Sequence, residues 1–453
     1  MTVCQAMGDM KYELSDMDKM GITKAVKVLL FYELQPTIEP DRLITSLAEG
    51  VKNATSQLPF MAGNLEFNEY GKLCIVVPPG SQVKLNIRRF EPKEQKSLSA
   101  LVQDSFSPDN MDFTEFLPEE PATPKQVCAL QLSLMEGGLI LGLLMNHAAG
   151  DWSAIDTFVS LICQSCKAHQ EELKMPTYTP DLNRAPYNAP ETGSTFSRQE
   201  HLEKLPLFYV KEKSQFKLKP PPTFRSSIYR ISEPSIQQLK ARCTPYLTEV
   251  DYITSYDCIS ALAWTSITRA RLNLHPEKSS LPSRFVHPID VRTRDPEKKT
   301  SERYFGNAVI GSQAGPTTAG ALVSDGDRGL AAAATLIRQS INSTNLSTIS
   351  HMTSLIKSLT PTETLGSQAD FSDMDVFMNT WYSGNAKKYD IGRDLRPVAF
   401  RVPSSLPGAC AVILPNFSSG ATRVFEVLVQ VEVEEHEMLR KNPEFLRYFE
   451  VVA

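Results

Sequence analysis

The segment that most limits what this chain can become is residues 127–145. Two apolar runs, 127–135 and 138–145 (GLILGLLM), are separated by Glu136-Gly137 alone. Apolar runs of strand length joined across so short a turn read as a β-hairpin. The second run is the longest apolar stretch in the chain, yet far below the roughly 20 residues that a membrane span requires. It reads as a buried strand, and the rest of the fold has to be built around it.

The flanking sequence supplies both kinds of element. Residues 26–32, 73–77 and 83–87 read as strands, and residues 41–56 carry apolar positions at helical spacing. A helix is expected over 153–169. The later part repeats the pattern. Helices are expected at 235–243, 255–271, 331–345 and 434–442, and strands at 285–291, 375–380, 398–402, 410–414 and 424–433. Helices and strands mix without strict βαβ alternation, so the expected class is α+β, with mixed sheets and helices. Between about 175 and 223 the chain turns rich in Pro, Thr and Asn and ends in Pro220-Pro-Pro222. Such a stretch does not sustain a helix or a central strand and reads as a long surface connection. The resulting division is an N-terminal lobe over 1–180, a crossover over 181–223 and a C-terminal lobe over 224–453. A length of 453 residues suits two lobes.

Composition narrows the class of partner. There are 47 basic and 52 acidic side chains, a net charge of −5, with no long basic run, so nucleic acid is not expected as a partner. The N-terminus lacks the basic start and apolar core of a secretory signal. Together with the absence of a membrane-length segment, this leads to the expectation of a cytoplasmic protein with no membrane partner. Eight cysteines stand at irregular spacing, several in apolar surroundings (Cys128, Cys258, Cys410). Cys163-Gln-Ser-Cys166 with His169 has no second ligand pair at a fitting spacing, so no metal is expected.

The sharpest chemical signal is Asn146-His147-Ala-Ala-Gly-Asp151-Trp152, which follows the apolar strand and precedes a helix. A histidine at a strand end, followed by Ala148, Ala149 and Gly150, sits on a tight turn with room beside the ring. Histidine is the side chain best matched to taking a proton at neutral pH. Asp151 is placed either to hold the turn through an ion pair or to orient the imidazole. The other histidines read as surface or structural: His275 and His287 beside prolines, His169, His201 and His436 in polar stretches, His351 in a solvated loop. There is no GxGxxG, GxxxxGK[ST] or GxSxG.

Around these residues the chain resembles the BAHD family, acyl-CoA-dependent acyltransferases with an HxxxD motif, and most of all its fungal branch of trichothecene and ergot-alkaloid O-acetyltransferases. LPFMAGNLEF (58–67) is similar to the family's PFLAGRL, and His147 to Asp151 is the HxxxD turn. Residues 255–271 resemble the STNDALSALLW…TRAR helix. Asp290-Val-Arg292-Thr-Arg294 followed by Tyr304-Phe-Gly-Asn307 resembles DxRxR…YFGN. Asn379-Thr380-Trp381, Tyr389-Asp390-Ile-Gly392-Arg393-Asp394 and Arg396-Pro-Val-Ala-Phe400 align with SSW…DFGWG…KPVAFR. Trp152 stands where the family has Gly, and Ile391, Arg393 and Asp394 replace the Phe, Trp and last Gly of DFGWG.

The resemblance implies two lobes like those of chloramphenicol acetyltransferase, with a channel between them and a monomeric enzyme. His147 is then the general base of direct acyl transfer, without an acyl-enzyme, from acyl-CoA, acetyl-CoA first, to the hydroxyl of a small secondary metabolite. Asp151, the motif's second member, turns from the channel in a structural role. Asp390 and Arg292 form an ion pair, and Asn307, Thr380 and Arg393 lie on the CoA side. CoA is a co-substrate, and no permanently bound cofactor is expected. Two further readings remain open: a condensation-type enzyme using a carrier-bound donor, and a non-catalytic or cyclisation-steering descendant that binds a metabolite.

Overall fold

The computed structural model describes residues 9–21, 24–69, 71–91, 94, 97–119, 126–213, 223–295, 297, 300–382, 386–403, 408–417 and 422–453. Pro220–Pro222, which close the crossover in sequence, lie outside them.

The apolar hairpin is the centre of a five-stranded sheet. Cys128–Met135 and Gly138–Asn146 pair antiparallel, and every residue of both strands is buried. The order across the sheet is Pro397–Arg401, Ala25–Glu33, Gly138–Asn146, Cys128–Met135 and Lys84–Arg89. Helices Pro40–Gln57 and Trp152–Gln170 pack together, and their apolar sides join the sheet in one core. A seven-stranded mixed sheet carries the second core. Helices Ser255–Leu274 and Gly326–Ser343 bury Leu262, Trp264, Ile267, Ala334 and Ile337 with it. The class is α+β, as the unalternating pattern implied.

Two local expectations are corrected. The crossover holds a helix, Arg198–Lys204, and a strand, Phe208–Glu212, which pairs with Glu363–Ser367. No proline stands between Pro190 and Pro206, and in that gap Ser197 and Glu200 form a reciprocal capping box that nucleates the helix. His351 lies on the helix Leu346–Lys357 rather than in a loop, with its Nδ1 2.9 Å from Nδ1 of His201. His201, His287 and His436 are buried, the structural alternative of their reading.

The strand Pro397–Arg401 belongs to the later part of the sequence but pairs with Ala25–Glu33 in the first sheet. The segment leading to it is fastened along the helix Trp152–Gln170 in register. Asp156 takes Lys388 and the Tyr389 hydroxyl, Lys167 donates to Asp390 at 2.8 Å, and Gln170 Nε2 donates to the Ile391 carbonyl at 2.5 Å. Cys163 and Cys166 lie buried on this helix as free thiols, and burial pushes Cys163 up to about 12.

Candidate active site

His147 begins the tight turn His147–Ala149 at the end of the central strand. Asn146 caps the turn, its Oδ1 accepting from the Ala148 N–H at 2.9 Å. The His147 N–H donates to the Lys24 carbonyl at 2.8 Å, which ties the turn to the N-terminal segment. Gly21 covers the peptide there. A Cβ at that position would stand 2.5 Å from the His147 carbonyl carbon, so only glycine permits this approach. Ala148 and Ala149 are buried, while His147 itself remains partly exposed.

A segment of the later chain, residues 304–308, closes on this turn. Asn307 Oδ1 lies 3.0 Å from His147 Nδ1, and Asn307 Nδ2 lies 2.9 Å from the His147 carbonyl and 2.8 Å from Asp18 Oδ1. Asp18 is fully buried and also takes the Asn307 N–H at 2.8 Å. Arg184, from the crossover, stands 3.7 Å from Asp18 and donates to the Phe305 carbonyl at 2.5 Å. Gly306 is required beside it, since a Cβ there would fall 1.9 Å from Arg184 Nη1. A cavity of about 650 Å³ abuts the network through Arg184, with Tyr12, Phe60 and Asp181 in its wall; His147 is not part of that wall.

Asp151 has two tasks. Its carboxylate caps the helix Trp152–Gln170, accepting from Ser153 and Ala154 N–H, and it forms a bidentate ion pair with Arg292 at 2.9 and 3.0 Å. The expected pair of Asp390 with Arg292 is therefore not formed. Arg292 spends its five N–H groups on Asp151, Asp290 and the Tyr304 and Gly306 carbonyls. Asp390 lies along the helix with Lys167, and with Arg396 at 3.9 Å. Asp151 stands opposite Arg292 across the junction, with Asp290 two residues away on the same turn. Burial opposes the charge on Arg292, and the two carboxylates more than offset it, so the guanidinium is held above its ordinary pKa.

The three expected CoA-side residues lie on separate elements. Both N–H groups of the Asn307 amide are taken up by Asp18 and the His147 carbonyl, and its Oδ1 faces the imidazole. Thr380 is exposed at the end of the strand Val376–Thr380. Arg393 occupies a left-handed turn, its N–H donating to Glu171 at 2.8 Å. That is the far end of the helix from His147, roughly 25–30 Å away at 1.5 Å per residue. Asp18 and Arg184 were not singled out from sequence. Asp18 is one carboxylate in a polar N-terminal run, and Arg184 lies inside the Pro-rich stretch; neither carries a local signal.

Trp152 does not leave the turn open as glycine would. Its indole lies parallel to that of Trp381, 5.0 Å between centroids and 8° between planes, with Phe400 edge-on at 5.6 Å. The stack joins the start of the helix to the end of the strand Val376–Thr380 in the other sheet. Trp152→Ala and Trp381→Ala are each expected to destabilise the chain. A double-mutant cycle in urea should show a coupling of about 0.5–1.5 kcal/mol, the worth of an aromatic pair beyond its buried area. Additive losses would deny the stack.

Residues 5–446 match the Transferase family. The chain is 23% identical to "Acyltransferase cm3D" of Cordyceps militaris, over 98% of this chain and 97% of that protein. It is 20% identical to "Trichothecene 3-O-acetyltransferase TRI101" of Fusarium sporotrichioides, over 94% of each. The crystal structure of F. graminearum TRI101 with coenzyme A and deoxynivalenol superposes with a TM-score of 0.82, at 18% identity, over 98% of this chain and 100% of that one. With the HxxxD turn, the buried ion pair and the five- and seven-stranded sheets already in place, the full-length match establishes that this chain belongs to the Transferase family, as a BAHD-type acyltransferase of the fungal branch.

Proposed function

We propose that this protein transfers an acyl group, acetyl first, from acyl-CoA to a hydroxyl of a small secondary metabolite, with His147 as general base. The observation that carries the reading is the placement of the imidazole. It sits on a turn between two sheets, with Nδ1 held by Asn307 and the ring still partly exposed. Nε2 is then the nitrogen that faces substrate.

In the proposed reaction Nε2 accepts the hydroxyl proton as the oxygen attacks the thioester carbonyl. The tetrahedral intermediate collapses with loss of the CoA thiolate, which takes the proton back from the imidazolium. Acyl transfer is direct, through a passage between the two halves that reaches Nε2 from both sides. Thr380, exposed beside Trp381, keeps a proposed place on the CoA side. Arg393, whose contact with Glu171 is through its backbone N–H, keeps one as well, while Asn307 is assigned to the imidazole instead.

The names of the relatives support the donor and the class of acceptor: acetyltransferases, one of them acting at the trichothecene 3-hydroxyl. The protein is proposed to act as a monomer in the cytoplasm, and no helix among the described residues is long and apolar enough to cross a membrane. The test is release of CoA thiol when the protein is mixed with acetyl-CoA and a panel of hydroxylated fungal metabolites, the trichothecene skeleton among them. Acceptor-dependent thiol release from acetyl-CoA is expected. Transfer from a carrier-bound donor alone would replace the reading.

A further inference from the structure

We propose that Asp18 is a positioning residue for acyl transfer: through Asn307 it locks His147 in the tautomer that leaves the Nε2 lone pair free. The proposal rests on the reading of His147 as the base, and goes further by naming what prepares that base.

The argument is one of donors and acceptors. A side-chain amide carries two N–H donors on one atom and its acceptor lone pairs on the other. Asn307 Nδ2 lies 2.8 Å from Asp18 Oδ1 and 2.9 Å from the His147 carbonyl oxygen. A carboxylate and a carbonyl only accept, so the amide cannot be turned over without setting oxygen against both. Asn307 Oδ1 therefore faces the ring, and His147 Nδ1, 3.0 Å away, is the donor. A neutral imidazole with its proton on Nδ1 has its lone pair on Nε2.

The carboxylate that sets the amide is itself tightly held. Asp18 Oδ1 takes the backbone N–H and one amide N–H of Asn307, each at 2.8 Å. Its Oδ2 takes the Ser15 N–H at 2.8 Å and the Ser15 hydroxyl at 2.7 Å, with Arg184 at 3.7 Å. The side chain is fully buried. A carboxylate accepts from all four donors at once; a neutral amide in its place does not. Four separate stretches of chain, carrying Asp18, His147, Arg184 and Asn307, meet to fix one proton on one ring nitrogen.

A merely structural Asp18 would tie the N-terminal segment to residue 307 and leave the tautomer to chance. Long-range ¹H–¹⁵N correlation spectra of the full chain with labelled histidine separate the two, His147 being assigned by the signals lost in His147→Ala. In the unaltered protein the neutral His147 ring is expected to carry its proton on Nδ1. In Asp18→Asn, nearly identical in shape, a substantial Nε2–H population should appear. Acyl transfer should fall by roughly 10²–10⁴-fold, the range for losing general-base function, with acetyl-CoA affinity within about threefold. An Nε2–H ring in the unaltered protein overturns the proposal. So does an Asp18→Asn chain that keeps the Nδ1–H ring, whatever its turnover. Should Asp18→Asn fail to fold, the spectrum of the unaltered protein decides alone. Full turnover by His147→Ala, with the Nδ1–H ring intact in the parent protein, removes the base reading and leaves the tautomer lock standing.

Discussion

Replacing His147 by Ala is expected to lower kcat/KM for acyl transfer by roughly 10²–10⁴-fold, the usual contribution of a positioned general base, while leaving CoA affinity within about threefold. The ring is the group proposed to take the acceptor proton. Donor binding and orientation survive its loss, which is why a residual rate remains. Alanine has a second effect that must be kept apart. It leaves Asn307 Oδ1 facing a gap where Nδ1–H had been, at a residue that is only 4% exposed. An unsatisfied buried acceptor costs about 1–3 kcal/mol. His147→Asn restores a donor at the Nδ1 position for Asn307 without an imidazole. It should lose turnover to a similar extent with a smaller loss of stability. Thiol-release kinetics beside chemical denaturation of both variants make the check. If either variant retains more than about a tenth of the original turnover, His147 is not the base.

What was legible in sequence was local. The hairpin, the His147 turn and the helix after Asp151 follow from apolar runs, a two-residue turn and the small residues Ala148 to Gly150, all within a few residues of one another. The strand expected at 398–402, which forms at Pro397–Arg401, was also legible, but not its place in the first sheet, because nothing in PVAFR names its partner. The misassigned ion pair is the same failure at the scale of one side chain. Arg292 was rightly singled out, yet Asp390 and Asp151 are equally carboxylates, and only the docking of 304–308 on the turn decides between them. His351 was lost to composition. STISHMTS is polar, but its Ile349, Met352 and Leu355 fall at helical spacing behind a capping Asn345, and these three side chains are buried. Asp18 could not have been found this way. Its partner is 289 positions distant, and no periodicity or motif spans that separation.

Arg292→Met is expected to cost about 3–5 kcal/mol, the loss that follows when one partner of a buried ion pair is removed. All five guanidinium N–H groups have acceptors, and the side chain is 3% exposed, as is that of Asp151 opposite. Methionine fills the volume of the stem but leaves the Asp151 charge buried, with only the N–H groups of Ser153, Ala154 and Ala308 to answer it. The Tyr304 and Gly306 carbonyls lose their donor as well. Arg292→Lys should fall between, since an ammonium cannot reproduce the planar bidentate fork. Adding Asp151→Asn to Arg292→Met removes the stranded charge and keeps an oxygen to cap the helix. The double variant should therefore recover about 2 kcal/mol of the loss. A double-mutant cycle in chemical denaturation measures this coupling, and strictly additive losses would contradict the pairing. Turnover should follow stability in this series, for a reason that is geometric. Arg292 grips Asp151 on the His147 turn and the carbonyls of the segment that carries Asn307, so releasing it lets the imidazole and its orienting amide drift apart.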